Sequence, residues 1–127
     1  MRILGIGTDI TECDRIARML ERHPESFAER VFTDAENDYC SRGKRQSAEH
    51  YTGRWAAKEA VLKALGTGWS SGITWRDIEI LNEPSGQPFV RLTGAAAEIA
   101  REKGIAEIQV SISHCASHAV AFAVAVG

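Results

Sequence analysis

The segment from Arg54 to Gly68, RWAAKEAVLKALGTG, limits the possible folds because it is strongly helical and carries charge where a buried helix should not. At 100° per residue, Glu59 and Lys63 lie on one edge, whereas Arg54 and Lys58 point to the opposite side. Apolar residues occupy both flanks between these edges, so little of the helix surface is left for solvent. A helix of this kind is usually buried, and a buried charge needs a partner charge or a metal.

The helix alone allows two explanations for the charges of Glu59 and Lys63 on one of its edges. Glu59 and Lys63 are spaced as an i,i+4 ion pair, which stabilises an exposed helix by about 0.3–0.5 kcal/mol. Alternatively, the edge belongs to a functional site that uses its charge. The helix by itself does not decide between the ion pair and the functional site.

The chain as a whole has the size and charge of one globular domain. Its 127 residues, 1–127, can bury a core of their own, and no apolar run approaches the ~20 residues of a membrane span. The amino-terminal segment reaches Gly and Asp too early for a signal peptide, so we expect a cytoplasmic protein that contacts no membrane. The formal net charge of −2 argues against general nucleic-acid binding.

The cysteines predict neither a disulfide framework nor a zinc site. Cys13, Cys40 and Cys115 are widely spaced and form no CxxC motif. Their odd number leaves at least one thiol without a partner in the same chain. We therefore expect three reduced thiols.

A glycine-rich strand is predicted near the amino terminus. The run Ile3–Ile10 alternates, and the face that carries Gly5, Gly7 and Asp9 is nearly bare of side chains before Asp9. Glycines inside a strand often mark the close approach of another backbone or a ligand, and the helix edge with Glu59 is a candidate neighbour. A dinucleotide-binding loop is not indicated, since no third glycine opens a helix here.

The first half of the chain is predicted to be mainly helical. Three helices precede the central one, over residues 11–22, 24–31 and 33–43. Thr11 with Asp14, and Thr33 with Glu36, have the spacing of capping boxes at two of their starts. The polar, basic loop Ser41–Ser47 then leads into the long helix.

A basic stripe lies on the first predicted helix. Arg15, Arg18 and Arg22 recur at i, i+3 and i+7, which places them on one side. The residues alone favour a solvated helix face, because charge runs of this kind are common on surfaces that bind nothing.

The second half changes from a helical period to the alternation typical of strands. Strands are predicted over residues 73–81, 89–92, 108–113 and 120–126, with a hairpin turn at 82–88 and a second turn at 114–117. A helix that Thr93 caps and that ends near Lys103 separates the two strand pairs. Helices in the first half and antiparallel strands in the second predict an α+β fold with no repeats and no linker.

Four separated motifs occur along the chain: Gly5–Ile10 (GIGTDI), Arg54–Gly68, Gly86–Pro88 (GQP) and Ser111–His114 (SISH). With these motifs, the chain resembles the bacterial holo-acyl-carrier-protein synthases, the small trimeric type of 4'-phosphopantetheinyl transferase, essentially from end to end. Trp55 stands where the family usually has phenylalanine, and this change keeps a large aromatic ring. The resemblance implies the 4'-phosphopantetheinyl transferase fold.

The resemblance also implies an enzyme that moves the 4'-phosphopantetheine arm of coenzyme A onto a serine hydroxyl of apo acyl carrier protein in fatty acid biosynthesis. Adenosine 3',5'-bisphosphate is the other product. Such phosphoryl transfer needs charge neutralisation at the diphosphate and an aligned hydroxyl. Asp9 and Glu59 are then the expected Mg²⁺ ligands, and Lys63 would contact a phosphate oxygen as a catalytic residue. The sequence does not identify the general base.

In this family the coenzyme lies in a cleft between neighbouring subunits, which suggests a use for the second edge of the central helix. There, Arg54 is expected to meet the 3'-phosphate. The other expected coenzyme contacts are Lys63, Gly66, Gly86, Pro88, Ser111 and His114. A lone histidine in a turn is commonly a hydrogen-bonded structural residue, so both roles stay open for His114. No role is predicted for His23, His50 and His118.

The resemblance implies two kinds of protein contact. We expect a homotrimer, which the two-edged helix and the alternating alanines of the last strand also favour, because small side chains permit close packing. The family gives Arg15, Arg18 and Arg22 a second explanation, namely contact with the acidic surface of the acyl carrier protein. Two other classes of function remain: a metal-dependent nucleotide hydrolase, and a carrier-protein-binding module without catalysis.

Overall fold

The computed structural model describes all 127 residues and has an α+β architecture, as predicted. The α-helices are α1 Cys13–Arg22, α2 Ser26–Val31, α3 Asp34–Ser41, α4 Ser47–Leu65 and α5 Gly94–Glu102. The strands are β1 Ile3–Glu12, β2 Ile78–Asn82, β3 Pro88–Leu92, β4 Glu107–His114 and β5 His118–Val126. Short 3-10 turns occupy Lys44–Gln46 and Trp75–Asp77. None of the helices is long and apolar enough to cross a lipid bilayer.

The central helix α4 packs on a three-stranded antiparallel sheet of order β1-β5-β4, while β2 and β3 form a separate hairpin. Every second residue of β5 from Ala119 to Ala125 is a fully buried alanine. On the helix, Ala56, Ala57 and Ala60 are also fully buried. Small side chains on both surfaces let the helix approach the sheet closely while keeping the interior well packed.

Gly5 and Gly7 make the closest part of this contact. A Cβ built on Gly5 would lie 2.0 Å from the Ala64 carbonyl oxygen, and one on Gly7 would lie 1.9 Å from that of Ala60. Any larger residue would push the helix off the strand. The prediction that the glycine-bare face of β1 meets the central helix is confirmed, and Asp9 is thereby brought to the helix edge.

The opposite face of the same sheet is apolar and exposed. Ile6 and Ile10 of β1 expose 61% and 66% of their surfaces, and Phe122 of β5 exposes 45%. The prediction that the alternating alanines of β5 favour a subunit contact is wrong, because those alanines are buried within the chain. A contact with another copy would use the valine and phenylalanine side of β5.

A fully buried ion pair joins α3 to α4. Lys58 Nζ lies 2.8 Å from Glu36 Oε1, and neither side chain has any exposed surface. Glu36 also accepts hydrogen bonds from the backbone N–H groups of Thr33 and Ile80. Lys58 donates in addition to the carbonyl oxygen of Trp75. Burial lowers the pKa of Lys58, and the adjacent Glu36 carboxylate opposes that change. The pair therefore connects both helices to the start of β2.

The predicted capping box of Thr11 and Asp14 is wrong. β1 continues through Glu12, because Thr11 still pairs with Ala119 of β5, and no side chain caps α1. The Thr11 hydroxyl instead donates to Asp9 Oδ2 at 2.6 Å. Pairing within the sheet thus outweighs the local capping preference, and the threonine holds the aspartate.

Two smaller details also differ from the predictions. Residues 75–77 form a 3-10 turn, so the predicted strand 73–81 begins only after that turn. Thr93 precedes α5 without a capping hydrogen bond from its side chain. The capping box of Thr33 and Glu36 is confirmed, as are the β2–β3 hairpin and the β4–β5 pair. All three cysteines are free thiols, as predicted.

Candidate functional site

Asp9, Glu59 and Lys63 come together where β1 packs against α4. Lys63 Nζ donates to the Thr8 carbonyl oxygen at 2.8 Å and lies 3.8 Å from Asp9 Oδ1. The Lys63 side chain is 56% exposed, whereas the Asp9 side chain is 17% exposed. A long ion pair with one exposed member contributes little to stability, so both charges remain available to a ligand.

The surroundings of Glu59 disfavour its ionised form. Burial raises the pKa of Glu59, and the negative charge of Asp9 raises it further. The Trp69 indole and the positive charges of Lys63 and Arg15 oppose that change in pKa. Two neighbouring carboxylates repel each other, and a divalent cation bound between them would remove that repulsion.

The donor set at this position suits a hard cation. Mg²⁺ takes carboxylate oxygens and keeps several waters or substrate phosphates among its ligands. No group of three or more His, Cys, Asp or Glu side chains converges anywhere in the structure. A cation held by Asp9 and Glu59 would therefore take its remaining ligands from water and from a phosphate substrate.

A second polar site is a cavity of about 170 Å³, which we call the Arg54 cavity. Four of the predicted coenzyme contacts line it together: Arg54, Gly86, Pro88 and His114. Its wall also contains Tyr39, Glu49, His50 and Asn82. These residues come from α3, α4, β4 and the β2–β3 hairpin, so the fold joins predicted contacts that are far apart in the sequence.

Arg54 is held in this cavity with only 5% of its surface exposed. Its guanidinium donates to the Asn82 side chain and lies over the Tyr39 ring, 4.1 Å from the centroid. Its Nε atom is buried and has no hydrogen-bond partner. A buried cation with an unused donor costs free energy unless an anion completes its contacts, so the cavity suits a phosphate group.

His114 borders the same cavity. Its Nδ1 lies 3.0 Å from Glu49 Oε1, and its ring meets that of His50 at a centroid distance of 6.0 Å. Burial lowers the pKa of His50, with effects in the same direction from Arg54 and His114. The structure places His114 in the site, and the contact with Glu49 also gives the histidine a structural role.

Three predicted coenzyme contacts lie outside this cavity: Lys63, which belongs to the first site, and Gly66 and Ser111. Gly66 ends α4 in the left-handed conformation, with φ +80°, and donates its N–H to the Leu62 carbonyl. Ser111 pairs with Phe122 and is exposed on the apolar face of the sheet. Neither residue lines the cavity that holds Arg54.

The predicted basic stripe on α1 is exposed along its length: Arg15, Arg18 and Arg22. The Arg15 guanidinium carbon lies 5.4 Å from the centroid of the Trp55 ring. Trp55 stacks on Trp75, with centroids 4.2 Å apart. Arg15 therefore links the stripe to the aromatic packing beside α4, and its charge also acts on Glu59.

Sequence reasoning missed several residues of these sites. They are Tyr39, His50 and Asn82 at the cavity and Thr11 beside Asp9. Most act through contacts between elements that are far apart in the chain, which hydrophobic periodicity does not report. His50 carried one available signal, since it stands four residues before Arg54 and so shares its side of the helix.

Comparison with known proteins shows which family the sequence matches. Residues 5–123 match the model of the 4'-phosphopantetheinyl transferase superfamily. The chain is 51% identical to the holo-acyl-carrier-protein synthase of Desulforudis audaxviator over 125 residues, which are 98% of this chain and 94% of that protein. The similarity therefore extends from the first motif to the last.

Solved structures with the same fold include two holo-acyl-carrier-protein synthases. The holo-acyl-carrier-protein synthase of Neisseria meningitidis aligns with a TM-score of 0.90 and 32% identity, covering 99% of this chain and 100% of that one. The holo-acyl-carrier-protein synthase of Helicobacter pylori, solved in complex with coenzyme A, aligns with a TM-score of 0.83 and 30% identity, covering 95% of this chain and 99% of that one. Because the sequence and the fold both match over nearly their whole length, the chain belongs to the holo-acyl-carrier-protein synthase family, within the 4'-phosphopantetheinyl transferase superfamily.

Proposed function

We propose that this chain carries two half-sites on opposite sides of α4, one that catalyses the reaction of its family and one that binds the 3'-phosphate of coenzyme A. The reaction moves the 4'-phosphopantetheine group of coenzyme A to a serine hydroxyl of apo acyl carrier protein and releases adenosine 3',5'-bisphosphate, in fatty acid biosynthesis. The observation that carries the proposal is the convergence of Asp9, Glu59 and Lys63 between β1 and α4. The cytoplasmic location stays a prediction.

Asp9 and Glu59 are the proposed Mg²⁺ ligands. They fit this ion because they are two hard carboxylates that repel each other in its absence. When bound, Mg²⁺ neutralises the charge of a diphosphate and polarises its oxygens. The Thr11 hydroxyl fixes Asp9 through its hydrogen bond.

Lys63 stabilises the negative charge that develops on the leaving group. The serine oxygen attacks the phosphorus that bears pantetheine, and the bond from that phosphorus to the bridging oxygen of the diphosphate breaks. The Lys63 side chain is 56% exposed and donates to the Thr8 carbonyl, so its ammonium can turn to a bound phosphate with the loss of only that hydrogen bond. A positioned cation at developing negative charge is a large contribution to phosphoryl transfer.

The Arg54 cavity is proposed to bind the 3'-phosphate of the coenzyme. Its donors are the buried guanidinium, with its unpartnered Nε, and the His114 ring. Gly86 has φ +95°, and a Cβ built there would meet no atom within 4 Å, so this side of the cavity is open to a ligand. Because Arg54 and Glu59 point to different sides of α4, we assign the two ends of one coenzyme to two copies of the chain.

A homotrimer is the proposed assembly, and the exposed apolar face of the sheet supports it. Ile6, Ile10 and Phe122 lie on that face, and contiguous exposed apolar surface marks interaction sites. Mixing inactive Arg54→Gln and Glu59→Gln proteins should then restore part of the activity, because some shared sites would combine an intact half from each. A monomeric mass by light scattering, or no recovery after confirmed subunit exchange, would contradict the shared site.

The arginine stripe is the proposed contact for the acidic carrier protein. Charge steering acts mainly on association and is screened over about 8–10 Å at moderate salt. Arg18→Glu should raise KM for the carrier protein several-fold and leave KM for coenzyme A nearly unchanged. Steady-state kinetics with each substrate varied in turn test this, and equal effects on both constants would show that the stripe supports the fold and not the partner.

Mass spectrometry of an apo carrier protein after incubation with coenzyme A and Mg²⁺ tests the function itself. The expected result is a carrier heavier by one phosphopantetheine group, together with an equal amount of adenosine 3',5'-bisphosphate. A nucleotide hydrolase would release the bisphosphate without any carrier present. A binding module without catalysis would release none in either reaction.

A further inference from the structure

We propose that His50 is a second histidine ligand of the phosphate in the Arg54 cavity, and that it makes recognition of this phosphate depend on pH. The inference rests on the proposed function, because it takes the phosphate to be the 3'-phosphate of coenzyme A. It adds a residue that no motif of the sequence singles out. It also predicts a property, proton uptake on binding, that Arg54 cannot provide since arginine stays charged.

The position of His50 makes one ring nitrogen available to a ligand. Its ring packs against those of Tyr39 and His114, at centroid distances of 5.3 Å and 6.0 Å. Its Nδ1 is buried without a hydrogen-bond partner, and a Cβ built on Gly43 would lie 2.6 Å from that atom. The loop before α4 therefore covers the Nδ1 edge, which leaves Nε2 as the nitrogen that can serve the cavity.

The charges around His50 favour the neutral ring when the cavity is empty. Burial is the main cause of the lowered pKa of His50, and the nearby Arg54 and His114 act in the same direction. Glu49, on the same helix, opposes them, while α3 contributes the Tyr39 ring. A phosphate in the cavity would reverse this balance, because its negative charge favours the imidazolium.

The sign of the pH effect follows from these two states. The pKa of His50 is depressed in the free protein, and bound phosphate raises it. The gain in affinity from the extra proton is therefore complete below the free-state pKa and is lost as the pH rises through the bound-state pKa. Because the free-state pKa of His50 lies below the ordinary histidine value of about 6.5, the change in affinity begins below that pH and ends at the bound-state pKa.

Isothermal titration of the purified full chain with adenosine 3',5'-bisphosphate at pH 6.0 and pH 8.0 tests the proposal. His50→Phe keeps the ring packing and removes both nitrogens, and it should weaken binding by about tenfold at pH 6.0 but by no more than about threefold at pH 8.0. His50→Gln, which keeps a donor that does not titrate, should match the parent at pH 8.0 and lose the gain at pH 6.0. His23→Phe, an exposed histidine outside the cavity, should behave as the parent.

Adenosine 5'-monophosphate, which lacks the 3'-phosphate, separates this inference from the proposed function. The His50 variants should bind it as the parent does at both pH values. Equal pH dependence in the parent and in both His50 variants would overturn the role of His50, even if Arg54→Gln still loses the preference for the bisphosphate. A parent protein that binds both nucleotides equally would instead overturn the assignment of the cavity, and the inference with it. Circular dichroism melting of each variant confirms that the comparison is made between folded proteins.

Discussion

Lys58 and Lys63 stand five residues apart on α4, yet they occupy opposite environments. Lys58 has no exposed surface, pairs with Glu36 at 2.8 Å and donates to a backbone carbonyl as well. Lys63 is 56% exposed and lies 3.8 Å from Asp9. In the first pair each charge is fully satisfied inside the protein, whereas the second pair leaves charge available at the surface. The first arrangement supports the fold, and the second can act on a ligand.

The two carboxylates differ in the same way. Glu36 accepts from two backbone N–H groups in addition to its lysine. Its carboxylate is buried and already has three partners, so it is not available to a ligand. Glu59 is half-buried beside Asp9, and its pKa is raised first by burial and then by the charge of that carboxylate. A buried ion pair whose hydrogen bonds are all made has a structural role, whereas two neighbouring carboxylates are the arrangement expected where a cation binds.

The largest expected effect is on stability, from Lys58→Met. The substitution leaves Glu36 buried without its partner, which should cost about 3–5 kcal/mol of unfolding free energy and lower Tm by roughly 10–20 °C. Lys63→Met is the matched control on the same helix. It should change unfolding free energy by no more than about 0.5 kcal/mol and lower the transfer rate at least about tenfold.

Thermal unfolding and transferase assays on the two variants give the result. The double variant Glu36→Leu, Lys58→Met should be more stable than Lys58→Met alone, because no single charge is then left buried. If Lys58→Met melts like the parent, or if Lys63→Met is the less stable of the two, the comparison between the pairs fails.

The next effect is on catalysis, from Asp9→Asn and Glu59→Gln. Each removes a proposed ligand charge and should lower kcat/KM by about 10²–10³-fold at saturating Mg²⁺. Because burial and Asp9 raise the pKa of Glu59 in the folded state, ionised Glu59 opposes folding at neutral pH. Glu59→Gln should therefore melt at or above the parent temperature at pH 7–8, and this advantage should shrink as the pH falls through the raised pKa.

Activity at several Mg²⁺ concentrations and melting curves from pH 5 to pH 8 check both statements. Near-normal turnover in either variant would show that the substituted carboxylate is not a Mg²⁺ ligand needed for the reaction. A large fall in Tm for Glu59→Gln would show instead that Glu59 and Lys63 form a structural ion pair, the simpler explanation that the helix alone allows.

The sequence predicted the fold well where periodicity was strong and contacts were local. α4, the two strand pairs and the contact of Gly5 and Gly7 with the helix all followed from side-chain spacing. The exposed and buried faces of β5 did not, because both faces are apolar and spacing alone cannot say which one meets α4. Burial of the alanine face against the helix needed the three-dimensional structure.

The sites were predicted less completely, because a residue with a recognisable local role can also make a contact with a distant residue that its sequence position does not reveal. Glu36 has a capping role that its spacing from Thr33 predicts correctly, and nothing in the sequence adds the contact with Lys58. Thr11 shows the reverse case. Its spacing from Asp14 predicts a cap that pairing with β5 prevents.

The smallest expected effect comes from Thr11→Val, which compares how the two acidic groups are held. Backbone N–H groups of Thr33 and Ile80 orient Glu36, and only a proline could remove them. Asp9 instead accepts from the hydroxyl of a single buried side chain, that of Thr11, at 2.6 Å. One lost hydrogen bond of about 0.5–1.5 kcal/mol should raise the Mg²⁺ concentration for half-maximal rate by roughly 2–10-fold and change stability by a similar free energy. Thr11→Ser keeps the hydroxyl and should retain the parent value. If the valine and serine variants require the same Mg²⁺ concentration as the parent, Asp9 is positioned by the strand alone, and the threonine hydroxyl has no part in the site.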